Sequence, residues 1–218
     1  NAHQVQQYAV QVSANDTRID LSDTYFHDIG QTAPNENWCG QSCDWQAASF
    51  CGGIFITHDF ADGYQPGGLI LVRNARFEAI ESIPNPGHQN LRRNGDGIRS
   101  YMFPGGSDAS GTRVIVEDTE FYNVDTSSTK LTGVASEVRR CRTESTLESP
   151  VYFLDEPMYV AHRANQTSSF LVEDVEVYGR VQSAVVVDGS NIVIRGVRGH
   201  TIMTTVSGRG ALHSVQIG

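Results

Sequence analysis

Val114-Ile-Val-Glu-Asp-Thr-Glu-Phe-Tyr-Asn-Val124 decides the fold, because the chain writes it more than once. Five other segments align under it: Ile19-Asp-Leu-Ser-Asp-Thr-Tyr-Phe-His-Asp-Ile29, Ile70-Leu-Val-Arg-Asn-Ala-Arg-Phe-Glu-Ala-Ile80, Ser136-Glu-Val-Arg-Arg-Cys-Arg-Thr-Glu-Ser-Thr146, Phe170-Leu-Val-Glu-Asp-Val-Glu-Val-Tyr-Gly-Arg180 and Ile192-Val-Ile-Arg-Gly-Val-Arg-Gly-His-Thr-Ile202. The template reads apolar, any, apolar, any, Asp or Asn, small or β-branched, any, Phe or Val, with another apolar residue three places on. The copy at Ser136 is degraded, with Arg140 in the Asp/Asn place. From Val116 to Val138 is 22 residues, and from Val172 to Ile194 is again 22. Wider gaps fall in Gly-, Pro-, Asn- and Ser-rich stretches, where loops enter a solenoid.

A second short strand precedes each template: Tyr8–Val12, Gly53–Thr57, Gly97–Tyr101, Gly133–Glu137, Tyr159–Arg163, Ala184–Asp188 and Ala211–Val215. Alternation of Val, Ile and Phe with other residues marks these as strands, and no stretch sustains a helical period. Short strands repeating near 22 residues predict an all-β chain, a parallel β-helix of six to seven windings. Each winding stacks on the next because none buries its apolar face alone. Residues 1–218 read as one such domain, with loop insertions at 30–52, 81–96 and 144–157.

The windings resemble the right-handed parallel β-helix of the pectin-lyase-like superfamily, which includes pectate lyases, polygalacturonases, alginate epimerases and phage tailspike depolymerases. The resemblance runs from about Tyr8 to Gly218. It implies the fold and a polysaccharide as partner and, if the chain is an enzyme, a lyase, epimerase or glycoside hydrolase. Asn94-Gly-Asp-Gly-Ile98 is similar to the Asn-Thr-Asp-Gly segment of polygalacturonases, which makes Asp96 a candidate on that resemblance. Their Asp-Asp pair, Gly-His-Gly and Arg-x-Lys are absent, and a Gly-Asp-Gly is also ordinary turn chemistry. His58-Asp59 reverses the Asp-His of pectate lyases, so no calcium ligand is carried over. Ca2+ stays an open option, and no cofactor or metal ligand is assigned.

Asp23, Asn74, Asp118 and Asp174 share one template position and read as a structural turn ladder. Phe26, Phe77 and Phe121 read as an internal stack, core rather than a sugar platform. Residues between inward positions point outward. In the template strand these are Asp20, Leu71, Ile115, Leu171 and Val193. An apolar row on an outer face implies cover, by the chain's own loops or by self-association with another chain. The row is therefore expected to be largely buried in the biological assembly. In the other strand the outward row is read as Phe55, Arg99, Ala135, Ala161 and Val186. Tyr101, Glu137, Arg163 and Asp188 are expected to form a polar stripe beside it, with neighbours about 4.8 Å apart. These four are the catalytic candidates, and Arg99 is a substrate-binding one. Elimination or epimerisation of a uronate needs a cation for its carboxylate and a base for the adjoining proton. Glu137 with Asp188 would instead serve glycoside hydrolysis. A charge ladder without chemistry is the plain alternative.

The insertions add His88, Arg92, Arg93, Trp38 and Trp45 as substrate-binding candidates, since tryptophan serves sugar stacking as well as a loop's own core. Cys39, Cys43 and Cys51 crowd one insertion without the Cys-x2-Cys of common zinc sites. At least one disulfide is expected there, with Cys141 either a buried thiol or the partner of a loop cysteine. Asn15 and Asn165 begin glycosylation patterns, which supports an extracellular or cell- or virion-surface location. Net charge is −9, from 25 acidic and 16 basic residues, of which Lys130 is the only lysine. That balance argues against nucleic acid as partner. No apolar run is long enough to span a membrane, and no signal peptide is visible. The chain opens at Asn1 and closes in strand rhythm, so its ends are expected to continue into a longer chain or to be covered by others. Two functions compete: a polysaccharide-binding β-helix with or without catalysis, and a non-catalytic structural or adhesive solenoid of a surface filament, envelope or virion.

Overall fold

The computed structural model describes residues 2–3, 8–13, 18–29, 51–57, 68–80, 95–101, 113–124, 127–131, 135–144, 151–154, 169–178, 185–188, 192–199, 206–209 and 215–217. Every element among them is a strand. A short β1 (Ala2–His3) precedes the first winding, which holds β2 (Tyr8–Ser13), β3 (Arg18–Ser22) and β4 (Tyr25–Ile29). The second holds β5 (Cys51–Thr57), β6 (Leu69–Arg73) and β7 (Arg76–Ile80), and the third β8 (Gly95–Tyr101), β9 (Arg113–Glu117) and β10 (Glu120–Val124). The fourth holds β11 (Ser127–Leu131), β12 (Ser136–Arg139) and β13 (Arg142–Glu144), and the fifth β14 (Val151–Leu154), β15 (Phe170–Glu173) and β16 (Glu176–Tyr178). The sixth holds β17 (Val185–Asp188), β18 (Ile192–Arg195) and β19 (Arg198–Gly199), and β20 (Val206–Arg209) and β21 (Val215–Ile217) follow in a seventh.

First, second and third strands of successive windings stack into a leading, a middle and a trailing sheet, each of seven strands. All pairings are parallel, so the expected β-helix is the fold. Val116 is the rung neighbour of both Val72 and Val138, as the template alignment requires. Three strands of the leading sheet fall elsewhere than read from the sequence. They are Ser127–Leu131, Val151–Leu154 and Val206–Arg209, whereas the segments read there, Gly133–Glu137, Tyr159–Arg163 and Ala211–Val215, lie wholly or partly outside the described residues. Val151–Leu154 also lies inside the stretch read as an insertion at 144–157.

The middle-to-trailing bend explains the Asp/Asn ladder. Asp23, Asn74, Asp118, Arg140, Asp174 and Gly196 all adopt left-handed backbone, with φ between 48 and 64°. Asn and Asp tolerate that region, and glycine enters it without strain. The amides of Asp23, Asn74, Asp118, Arg140 and Asp174 still donate along the stack, as from Asp118 to the Arg139 carbonyl at 3.1 Å and from Arg140 to the Glu173 carbonyl at 2.9 Å. The ladder is structural, as expected, but backbone conformation is its main cause. Arg140 has neither the short side chain nor glycine's freedom. Its guanidinium instead grips both oxygens of Asp118, at 2.7 and 2.9 Å.

The core is a column of stacked side chains. Phe26, Phe77 and Phe121 lie ring on ring, with centroids 4.8 and 5.0 Å apart, and all are buried. Opposite them the leading sheet must be thin. A Cβ on Gly53 would stand 2.4 Å from the Phe77 ring, and one on Gly97 would stand 2.8 Å from the Phe121 ring. In the fourth winding the ring shrinks to Thr143 and the glycine grows to Ser128, and their hydroxyls share a 2.6 Å hydrogen bond. The fourth leading strand thus has a polar inward side, which hides it from a search for apolar alternation.

Candidate functional site: the outer face of the leading sheet

That glycine row also shapes the sheet's outer surface. Rung pairing in the leading sheet is interrupted at Ala9, Gly53, Gly97 and Ser128. At each interruption two consecutive residues face the core: Ala9 with Val10, Gly53 with Ile54, Gly97 with Ile98, Ser128 with Thr129. The residues three apart around them then face outward together: Tyr8 with Gln11, Gly52 with Phe55, Asp96 with Arg99, Ser127 with Lys130.

On this face the Tyr8 and Phe55 rings stack 4.3 Å apart and nearly parallel, at 11°. Gly52 lies under Tyr8 and against Asp96, where a Cβ would stand 2.7 Å from the Asp96 carbonyl oxygen. Asp96 is completely buried, and the Arg99 side chain is 7% exposed. Arg99 Nη1 donates to Asp96 Oδ2 at 3.2 Å. Asp96 Oδ1 has no hydrogen-bond partner. Asp96 therefore sits within a strand, not a turn, as half of a buried ion pair. Lys130 is the next rung neighbour of Arg99.

The sequence-predicted polar stripe is only partly assembled. Tyr101 ends β8, opposite Thr57, and Asp188 ends β17, opposite Leu154 and Arg209. Continuing the rungs from Arg99 and Lys130 brings the two onto one level of the leading sheet. Glu137 is not among them. It lies in the middle sheet between Ile115 and Leu171, because the fourth leading strand is Ser127–Leu131 and β12 begins at Ser136. There it pairs with Arg113 and, at 3.0 Å, with Arg139. Ala135 likewise leaves the outward row read for it, and Lys130 stands in that place. Arg163, His88, Arg92, Arg93, Trp38, Trp45, Cys39, Cys43, Asn15 and Asn165 lie outside the described residues, and Cys51 is described by its backbone in β5. Cys141 is a buried free thiol, pushed up to about 12 by its burial. Among the described residues no three His, Cys, Asp or Glu side chains converge as metal ligands, and no helix is long and apolar enough to cross a membrane.

The other two faces differ in kind. Along the middle sheet the outward row runs Arg73, Glu117, Arg139, Glu173, Arg195. Along the trailing sheet it runs Arg76, Glu120, Arg142, Glu176, Arg198. Charges meet across windings at Arg139–Glu117 (3.5 Å), Arg76–Glu120 (3.7 Å), Arg198–Glu176 (3.6 Å) and Arg195–Glu173. Tyrosines fill in beside them. Arg76 lies 4.4 Å over the Tyr122 ring, and Arg142 lies 4.4 Å over that of Tyr178. Tyr25 donates to Glu78 at 2.7 Å, a bond that holds the phenol above its usual range and the carboxyl below its own. The apolar row of the middle sheet is partly covered: Leu71 and Ile115 are 7% exposed, whereas Leu171 and Val193 are half-buried.

The sequence reading named Asp96 and Arg99 separately and missed their pairing, together with Tyr8 and Lys130 as parts of one surface. The signal was there as a small residue repeated at Ala9, Gly53, Gly97 and Ser128, with outward residues on either side. No protein-family model, curated protein or solved structure matches this chain.

Proposed function

We propose that this β-helix binds a polysaccharide on the outer face of its leading sheet, outside the cell or on a cell or virion surface. One observation carries the reading. The middle and trailing faces are occupied by charges paired across windings, whereas the leading face carries a stacked aromatic pair beside a buried ion pair. Aromatic faces take up the apolar faces of sugar rings, and polar neighbours orient the hydroxyls. The half-buried Tyr8 and Phe55 supply the first, and exposed Gln11 with half-buried Lys130 the second. The fold resemblance and the glycosylation patterns at Asn15 and Asn165 support the setting.

The reading is of binding. Asp96 is enclosed and engaged with Arg99, which suits a brace beneath the platform better than a proton donor to a substrate. The test is calorimetry against a panel of polyuronates and neutral glycans, with absorbance for unsaturated products and reducing-end release followed in parallel. Binding to a panel member without product release is expected. Absence of binding across the panel contradicts the reading, and product release would return Tyr101 and Asp188 to consideration as catalysts. A solenoid that serves only in assembly is favoured by one feature, the half-buried Leu171 and Val193 on the middle sheet, and predicts concentration-dependent association with no glycan binding.

A further inference from the structure

The paired charges alternate with a strictness that packing does not require. In the second, fourth and sixth windings, the last middle-strand residue and the first trailing-strand residue are Arg73 and Arg76, Arg139 and Arg142, Arg195 and Arg198. In the third and fifth they are Glu117 and Glu120, Glu173 and Glu176. The bend between them follows the same rule. It is acidic in odd windings (Asp23, Asp118, Asp174) and neutral or basic in even ones (Asn74, Arg140, Gly196). From the second winding to the sixth the period on these faces is therefore two windings, and the first winding carries Ser22 and Tyr25 at the same places.

We propose that the alternation is a parity code that determines which winding stacks on which. At the middle sheet the core is a poor discriminator, because Val72, Val116, Val138 and Val172 are interchangeable valines at one level. A winding stacked one step out of order would keep its apolar contacts at that level. It would, however, set Arg on Arg and Glu on Glu in both rows at once, at rung distance, where like charges repel. Correct stacking places Arg139 and Arg142 of the fourth winding between anions of both neighbours, and sets Arg73, Arg76, Arg195 and Arg198 each beside an anion of one neighbour. The code acts between windings of this chain and, by the same contacts, would reject a same-parity winding of a second copy.

The test is a charge-reversal cycle in the full-length chain on Glu173 and Arg195, which pair across the fifth and sixth windings. Glu173→Arg and Arg195→Glu each create like-charge rungs, and the double variant restores an opposite pair. Each single variant is expected to lower Tm by about 2–4 °C at low salt, as fits a surface charge contact in a domain of this size. The double variant is expected to melt above the sum of the single shifts, and the deficits are expected to shrink in about 1 M salt, where the screening length falls to roughly 3 Å. Additive shifts that salt leaves unchanged would overturn the proposal. If a reversal variant does not fold, the milder cycle of Glu173→Gln and Arg195→Gln is read the same way, with coupling supporting the code and additivity contradicting it.

Discussion

On the trailing face of the second, third and fourth windings the outward residues are Arg76, Glu120 and Arg142. On the leading face of the same windings they are Phe55, Arg99 and Lys130. Both rows use the same backbone geometry, a parallel rung in which residues of neighbouring windings stand side by side. The trailing row sets opposite charges side by side, and Arg76 meets Glu120 one winding away, while Arg142 pairs with Glu144 on its own strand. In the leading row two cations are adjacent. Arg99 is held by Asp96, on its own strand, and an aromatic pair lies next along the row. What differs is the pattern along the stack: opposite charges alternate winding by winding on one face, and two cations stand beside a stacked aromatic pair on the other. A surface whose charges are matched along the stack holds the windings together and offers little to a ligand.

That contrast is testable by comparing substitutions on the two faces. The largest effect is expected from Arg99→Ala, which leaves Asp96 buried and without its cation. Such a loss costs about 3–5 kcal/mol. Asp96→Ala in the same background should recover most of it, as read from denaturant midpoints. Next comes Gly97→Ala, whose Cβ meets the Phe121 ring and the Ser128 carbonyl oxygen. Overpacking there should cost about 1–3 kcal/mol. Gly97→Ser with Phe121→Thr, the combination of the fourth winding, should cost less than its two single substitutions summed. Smaller still is Glu120→Ala on the trailing face, at about 0.5 kcal/mol. That loss should fade with added salt and leave glycan affinity unchanged.

The smallest effect is one that acid abolishes. The hydrogen bond from Arg140 holds the Asp118 carboxyl below its ordinary value. A carboxyl lowered in the folded state stabilises the fold fully above its unfolded pKa of about 4, and the contribution is lost as pH falls through the lowered value. Asp118→Asn should therefore lower Tm slightly across the neutral region and leave the most acid region unchanged, which flattens the acid limb of a Tm-against-pH curve.

The windings, the bend positions and the aromatic column were legible in the sequence, because apolar periodicity reports burial and one template reports one backbone path. Glu137 shows where that reading stops. Its segment matched two strand patterns at once, and only the polar inward pair Ser128 and Thr143 reveals that the fourth leading strand lies earlier. The alternation of Arg and Glu was visible at template positions read as unconstrained, since a search for shared letters overlooks letters that differ in a regular way. The Asp96–Arg99 pair was hidden for a geometric reason. Strict alternation puts residues three apart on opposite faces, and the kink at Gly97 returns them to the same one.

The most direct measurement places one substitution on each face. Affinity for a bound glycan is determined by calorimetry for Phe55→Ala and Arg142→Ala, with Tm confirming that both are folded. The account predicts at least a tenfold loss, about 1.4 kcal/mol, for Phe55→Ala and wild-type affinity for Arg142→Ala. Unchanged binding in Phe55→Ala together with a loss in Arg142→Ala would contradict it.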